Sequence, residues 1–236
     1  MTNDGSEGAR WIDVDPERIV GWLDSFERRH GAGSAGVGPE AVTFRAADGA
    51  VAECHLPFPP LADRHADDHV EGGTRQADAL SWAEWAERMA AHARAERVVA
   101  VFLVRLGGYA AGVFTGPAPQ LAASKVGSRL VHGRSAAGGT SQHRFARRRE
   151  KQAAEALGAA AATAAAVFGP YTSRIDAVVL GGDRRTMAVL RGDPRLAPYL
   201  SLAVERFLTV PDPRLTVLRS APRLFRAIRI RLTGPA

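Results

Sequence analysis

The stretch Arg97–Thr115, RVVAVFLVRLGGYAAGVFT, decides the fold class. Val98, Val99, Val101, Phe102, Leu103 and Val104 form an almost unbroken apolar run, the pattern of a strand covered on both faces. Gly107-Gly108 turns the chain, and Tyr109 to Thr115 returns as a second strand. Working outward, Leu121 to Val131 reads as a third strand. Ile175–Leu180, Phe207–Val210 and Arg226–Leu232 read as further ones. Gln142 to Phe168 reads as one long helix, about 40 Å at 1.5 Å per residue. Its Ala146, Ala153, Leu157, Ala160, Ala164 and Val167 form a small-residue stripe suited to close packing on a sheet. Arg184–Leu190 is a short helix. Strands and helices in this order describe an α/β domain with a mixed sheet over residues 95–236.

Residues 1–94 read as an N-terminal α+β extension. Asp15-Pro16 opens a helix that Ile19, Val20, Leu23 and Phe26 carry on one face and Gly31 ends. Ala41–Arg45 and Val51–Leu56 flank Asp48-Gly49, the turn dipeptide of a hairpin. Residues 57–80 form a long polar loop. Ser81 and Glu84 make a capping box for a helix from Trp82 to Ala95, with Trp82, Trp85 and Met89 on its core face.

Composition sets the class. The 236 residues are 46% hydrophobic and 24% charged, the balance of a folded protein able to bury its own core. Cys54 is the single cysteine, which excludes a disulfide framework and a multi-cysteine zinc module; it reads as a small buried hydrophobe. Met1 to Arg10 carries no apolar leader pattern. Ala153 to Phe168 is mostly alanine and reads as too short and too weakly hydrophobic to span a bilayer. A soluble, cytoplasmic protein is expected.

Charge points to a partner. The net charge is +6 and the pI about 10.3, unevenly distributed. Residues 1–96 hold nine Arg against 18 acids, whereas residues 97–236 hold 22 Lys and Arg against seven acids. Lys125, Arg129, Arg134, Arg144, Arg147, Arg148, Arg149 and Lys151 face only Glu150 within 125–151. Arg214, Arg219, Arg223, Arg226, Arg229 and Arg231 face no acid within 214–231. Such clusters suit a polyanion, and guanidiniums suit phosphate forks. A solvated basic surface is the plain alternative.

Between the third strand and the long helix lies HGRSAAGGTSQ, residues 132–142, followed by HRFARRREKQ, 143–152. A helix N-terminus carries partial positive charge and favours acids, yet four arginines crowd this one. An external anion would relieve that repulsion, with amides and guanidiniums both donating to it. Ser141 can serve as the N-cap. A surface linker and a phosphate- or RNA-binding loop both remain open on these grounds.

Gly138-Gly139-Thr140-Ser141-Gln142, followed by an arginine-rich helix, resembles the catalytic loop of eukaryotic and archaeal peptide-chain release factors. It is more similar to the release-factor-like peptidyl-tRNA hydrolases of ribosome quality control, the VLRF family and its actinobacterial branch. The resemblance covers about residues 95–236 and is concentrated in 132–152. It implies a ribonuclease-H-like sheet with flanking helices and a loop that enters the peptidyl transferase centre. It implies codon-independent hydrolysis of peptidyl-tRNA on stalled large ribosomal subunits. Gln142 is then the catalytic residue, carried by a loop of Gly138, Gly139, Thr140 and Ser141. Arg134, Arg144, Arg147, Arg148, Arg149 and Lys151 would bind ribosomal RNA and tRNA phosphates. The implied partners are the large subunit, ribosomal RNA and peptidyl-tRNA; no cofactor, metal or membrane is implied, and the protein is expected to act as a monomer. Stop-codon factors carry Gly-Gly-Gln uninterrupted, whereas Thr140 and Ser141 intervene here, which resembles the quality-control branch, where a serine precedes the glutamine.

Competing readings are weaker. A noncatalytic ribosome- or RNA-binding module would use the same basic helix. A nuclease would need clustered carboxylates, and Asp176, Asp183, Asp193 and Asp212 are scattered. His65 and His69 sit on an acidic loop without helical support for a metal site. Ser141 and His143 diverge at a helix start and have no oriented acid beside them. Gly181-Gly182-Asp183 lacks the phosphate-loop fingerprints and reads as a tight turn.

Overall fold

A computed structural model describes residues 9–61, 75–76, 80–105, 107–128 and 141–235. In chain order its elements begin β1 (Arg10–Val14), α1 (Ile19–His30), β2 (Ser34–Val37), β3 (Ala41–Arg45), β4 (Val51–His55), β5 (Arg75–Gln76) and α2 (Trp82–Arg94). They continue β6 (Val99–Arg105), β7 (Gly108–Thr115), β8 (Gln120–Ser128), α3 (Ser141–Phe168), β9 (Ala177–Gly182) and α4 (Arg184–Leu190). The chain closes with α5 (Ala197–Leu200), β10 (Ala203–Leu208), α6 (Leu215–Arg226) and β11 (Ile228–Thr233). They fall into two compact units, one of residues 1–95 with 226–236 and one of residues 96–225.

The first unit is a six-stranded sheet in the order β1-β11-β4-β3-β2-β5, antiparallel at every pairing. The hairpin across Asp48-Gly49 forms as its dipeptide dictates, pairing Ala41 with His55 and Arg45 with Val51. Val42, Phe44, Ala52, Cys54, Ile228 and Ile230 alternate along their strands and are all buried, the period-two signature of one covered face. Helices α1 and α2 pack together and belong to the same core. Phe26 stacks on Trp22 at 5.5 Å and on Trp82 at 6.1 Å, and Phe44 meets Trp82 edge-on at 5.2 Å. Burial pushes the Cys54 thiol up in pKa, so it remains a neutral core group.

Helix α1 opens at Ile19 after a turn, later than Asp15-Pro16 predicts, and it ends as expected at Gly31 with φ 84°. Helix α2 has its capping box: Ser81 Oγ accepts from the Glu84 backbone N–H at 3.3 Å, and the Ser81 N–H donates to Glu84 Oε2 at 2.7 Å. The Ser81 hydroxyl, which donates to Glu84 Oε2 at 2.7 Å, and then the Ser81 backbone N–H hold the Glu84 carboxyl below its ordinary range. Their stabilisation is therefore complete above the usual carboxylate pKa and is lost as pH falls from there through the lowered pKa of the folded state. Ser81→Ala should destabilise the protein by about 1 kcal/mol at neutral pH, read from the urea midpoint.

The second unit is a five-stranded mixed sheet in the order β10-β9-β6-β7-β8. β6, β7 and β8 are successive antiparallel neighbours, while β9 and β10 add in parallel on the other side of β6. Ala100, Phe102, Val104, Ala111 and Val113 share one core with Ala160, Ala161, Ala164 and Phe168 of α3. On the opposite face Phe114 meets Phe225 of α6 edge-on at 5.8 Å. Both faces of β6 are thus covered, which is why its sequence is apolar without alternation.

Two sequence expectations change, and one helix was not foreseen. Arg226–Leu232 was expected in the second domain, but β11 pairs between β1 and β4 in the first sheet. Local periodicity specifies a strand without specifying its neighbour, so the pairing was invisible. The stretch 214–226 is largely helix α6, with Leu218, Ala221 and Phe225 buried at helical spacing despite Pro222. Finally, Glu150–Tyr171 is long and apolar enough by composition to cross a membrane, because the helix carries a long run of alanines. In the structure its later turns bury Ala160, Ala161, Ala164 and Phe168 in the core of the sheet.

Candidate functional site

Helix α3 begins at Ser141, and β8 ends at Ser128. Gly138, Gly139, Thr140 and Arg134 of the expected loop lie outside the described residues, as do Arg129, His65 and His69. Ser141 is the first helical residue rather than the cap before it. Gln142 is therefore the second residue of the helix, and its backbone N–H belongs to the first-turn donors that have no intrahelical acceptor. Arg144, Arg147, Arg148 and Arg149 follow within the first three turns, and no acid occupies the first turn. Lys151 is exposed. The structure thus places Gln142 and the basic residues Arg144 to Lys151 on one element. Every residue from Glu150 to Ala159 is at least partly exposed, and burial sets in at Ala160.

Helix α3 is fixed at its far end. Phe168 meets Phe102 edge-on at 6.5 Å and Tyr199 at 5.2 Å. Thr163 Oγ1 donates to the Tyr109 hydroxyl at 3.4 Å, joining the helix to β7. The helix is about 42 Å long at 1.5 Å per residue, and Thr163 and Phe168 fasten its second half.

Beside the middle of α3 lies a cleft of about 240 Å³. Tyr109, Leu157 and Val189 supply apolar wall, and Arg105 and Arg185 supply charge. Arg105 ends β6, and Arg185 is in the first turn of α4, which follows β9, so the cleft sits at the carboxyl ends of two parallel strands, where α/β sheets bind ligands. The Arg105 guanidinium is partly committed, donating to the Val210 carbonyl at 3.0 Å. Sequence reasoning missed this cleft. Its one local signal was Gly181-Gly182-Asp183, expected as a tight turn; instead Gly181 and Gly182 end strand β9 and Asp183 stands directly before α4. Gly182 has φ 101°, and a Cβ there would fall 2.1 Å from the Val104 carbonyl oxygen. Asp183 caps α4, accepting from the Thr186 N–H at 2.7 Å and its hydroxyl at 2.6 Å. Those bonds to Thr186 hold its carboxyl below the ordinary range.

The four aspartates weighed for a nuclease each have structural work. Asp183 is the cap. Asp176 accepts from the Val98 N–H at 2.7 Å. Asp193 pairs with Arg195 at 2.6 Å, and Asp212 lies 3.9 Å from Arg105. Among the described residues no three His, Cys, Asp or Glu side chains converge as a metal site would need. The second basic window also divides: Arg226 pairs with Glu17 at 3.0 Å, Arg231 with Glu53 at 3.5 Å, and Arg229 stacks over Trp11 at 4.5 Å. Half of that window is therefore engaged within the first unit.

Residues 97–231 match the family model of the Actinobacteria/chloroflexi VLRF1 release factor. The chain belongs to this family. No curated protein matches it. Among solved structures, this VLRF1-family chain is similar to an archaeal translation termination factor, aRF1, with TM-score 0.41 and 13% identity over 74% of this chain and 46% of that one. It is also similar to a structure described as an archaeal protein, with TM-score 0.37 and 11% identity over 90% of this chain and 63% of that one. The Vms1 mitochondrial localization core gives TM-score 0.37 and 11% identity over 84% of this chain and 77% of that one. The VLRF1-family chain thus spans less than half the length of the archaeal termination factor.

Proposed function

We propose that this protein hydrolyses peptidyl-tRNA on stalled large ribosomal subunits without reading a codon, acting in the cytoplasm. The observation that carries the reading is Gln142 in the first turn of an arginine-crowded helix, directly after Gly138-Gly139-Thr140-Ser141 and inside the family-matched stretch. A ribonuclease-H-like form for the second unit is supported by its strand order, three antiparallel neighbours with two parallel strands added beside the first.

The chemistry suits these residue types. Peptidyl-tRNA is a labile ester in a cavity walled by RNA, so hydrolysis needs an admitted, oriented water and a donor for the developing oxyanion. A carboxylate would be repelled by the surrounding phosphates, whereas a glutamine amide is neutral and both donates and accepts. Glycines at 138 and 139 let the backbone approach RNA closely. Arg144, Arg147, Arg148, Arg149 and Lys151, with Arg134, bind ribosomal RNA and tRNA phosphates. In this reading the release-factor part is the second unit, residues 96–225, the first unit, which includes β11, is an extension, and the protein works as a monomer.

The test is nascent-chain release from purified large subunits carrying peptidyl-tRNA. The intact protein is expected to bind and to release the chain. Binding with no release would instead make it a noncatalytic ribosome-binding module that anchors through the same helix. A second measurement addresses the arginines. Replacing Arg147 and Arg148 with alanine should weaken subunit binding and flatten its salt dependence by about 0.7–0.9 slope units per lost phosphate contact. An unchanged slope would place both guanidiniums in solvent.

A further inference from the structure

A cavity of about 380 Å³ opens within the first unit, beside α1, β1 and the end of β11, in the size range of small-ligand sites. The α1 sequence builds one wall directly. Trp22, Ser25, Phe26 and Arg29 stand at i, i+3, i+4 and i+7, so they share a helix face, and all four line the cavity. Ile12 of β1 and Leu232 of β11, whose cross-strand partner is Arg10, supply the sheet side. Trp22 and Phe26 lie nearly parallel, 12° apart, and Trp22 is only half-buried.

The polar groups are of one sign. Arg10 and Arg29 line the cavity and are exposed; among the described residues neither forms an ion pair and no carboxylate side chain lines the cavity. His30 also lines it and is 9% exposed. Its Nδ1 lies 2.9 Å from Asp48 Oδ2. The Ala50 N–H and then His30 hold the Asp48 carboxyl below its ordinary range, so it is the acceptor and Nδ1 carries the hydrogen. The other ring nitrogen, Nε2, has no protein partner among the described residues. A buried imidazole oriented by a carboxylate, two unpaired guanidiniums and an aromatic wall make a site with a cationic and an apolar part.

We propose that this cavity binds a small aromatic anion, a planar ring bearing one carboxylate, phosphate or sulfonate, with the anionic group on Arg10 and Arg29 and the ring against Trp22. The site is independent of the ribosomal reading, since all its residues lie in the first unit and none belongs to α3.

The probe is 8-anilinonaphthalene-1-sulfonate, titrated by fluorescence into the full chain, with N-phenyl-1-naphthylamine as its uncharged counterpart. Saturable one-to-one binding of the sulfonate is expected. The uncharged compound, Arg10→Glu and Arg29→Glu should each bind about tenfold or more weakly, the range for losing a charged hydrogen-bond partner. Both arginines are exposed, so these variants fold. Arg28→Glu is the control, because Arg28 is on the same helix but pairs with Asp24 at 3.0 Å and does not line the cavity; its affinity should stay within about twofold of the intact protein. Absence of saturable binding overturns the proposal. So does equal affinity for the uncharged compound, or an equal loss in Arg28→Glu, which would mean attraction by net charge alone.

Discussion

Gln142→Ala is expected to leave ribosome binding in place and to lower nascent-chain release by about 10²–10³-fold, the usual cost of removing one donor aimed at a developing oxyanion. Two parts of Gln142 can act, because the residue sits second in α3 and its backbone N–H is unclaimed by the helix. The alanine variant removes only the side chain. Gln142→Pro removes the side chain and the N–H together, and proline is tolerated in a first helical turn. Loss of release in both variants assigns the chemistry to the amide side chain. Release retained in the alanine variant and lost in the proline variant assigns it to the backbone. Gln142→Glu separates geometry from charge: it keeps the length of the side chain but gives an acceptor-only group that RNA phosphates repel, so its release should fall as far as that of alanine. Release at the intact rate by all three variants would remove Gln142 from the reaction.

What could be read in advance depended on how local the determining physics is. The β6–β7 pairing was legible because an apolar run, two glycines and a second apolar run suffice to make a hairpin, and Val99 to Arg105 pairs with Gly108 to Phe114 as that predicts. The capping box at Ser81 was legible for the same reason, since both its bonds span three residues. Strand β1 was missed because Arg10–Val14 reads RWIDV, with Arg10 on the face of Ile12 and Val14, Trp11 and Asp13 on the other, and only Val14 fully buried. Strand β2 was missed because Ser34–Val37 has little apolar content beyond Ala35 and Val37. Helix α6 was hidden by its own arginines and by Pro222, although Leu218, Ala221 and Phe225 carry the spacing. For the candidate site, the place of Gln142 at a helix start followed from the small polar triplet before it. The cleft at Arg105 and Arg185 did not, because it exists only once β6 and β9 lie side by side. The cavity at His30 needs β11 beside β1, a contact across more than two hundred residues of chain.

Phe168→Ala should cost the protein about 3–5 kcal/mol, the range for deleting a buried aromatic ring, out of the 5–15 kcal/mol that a domain typically has. The ring is 1% exposed and lies between Phe102 on β6 and Tyr199 on α5. Tyr199 is itself held at 3.1 Å from the Thr172 hydroxyl, so the cavity has ordered walls that resist collapse. The other buried residues in this half of α3 are small: Ala160, Ala161 and Ala164 with Thr163. Each alanine removes little apolar area from water, so the ring supplies a large share of what fastens the helix. A lower urea midpoint with an unchanged slope is the expected reading; a loss below about 1 kcal/mol would show that the neighbours close over the gap. The same variant tests the separation of chemistry from support. Phe168 lies 26 residues along the helix from Gln142, about 39 Å at 1.5 Å per residue. At a temperature where Phe168→Ala is folded, it should release nascent chains at the intact rate, while Gln142→Ala, with an unchanged urea midpoint, should not.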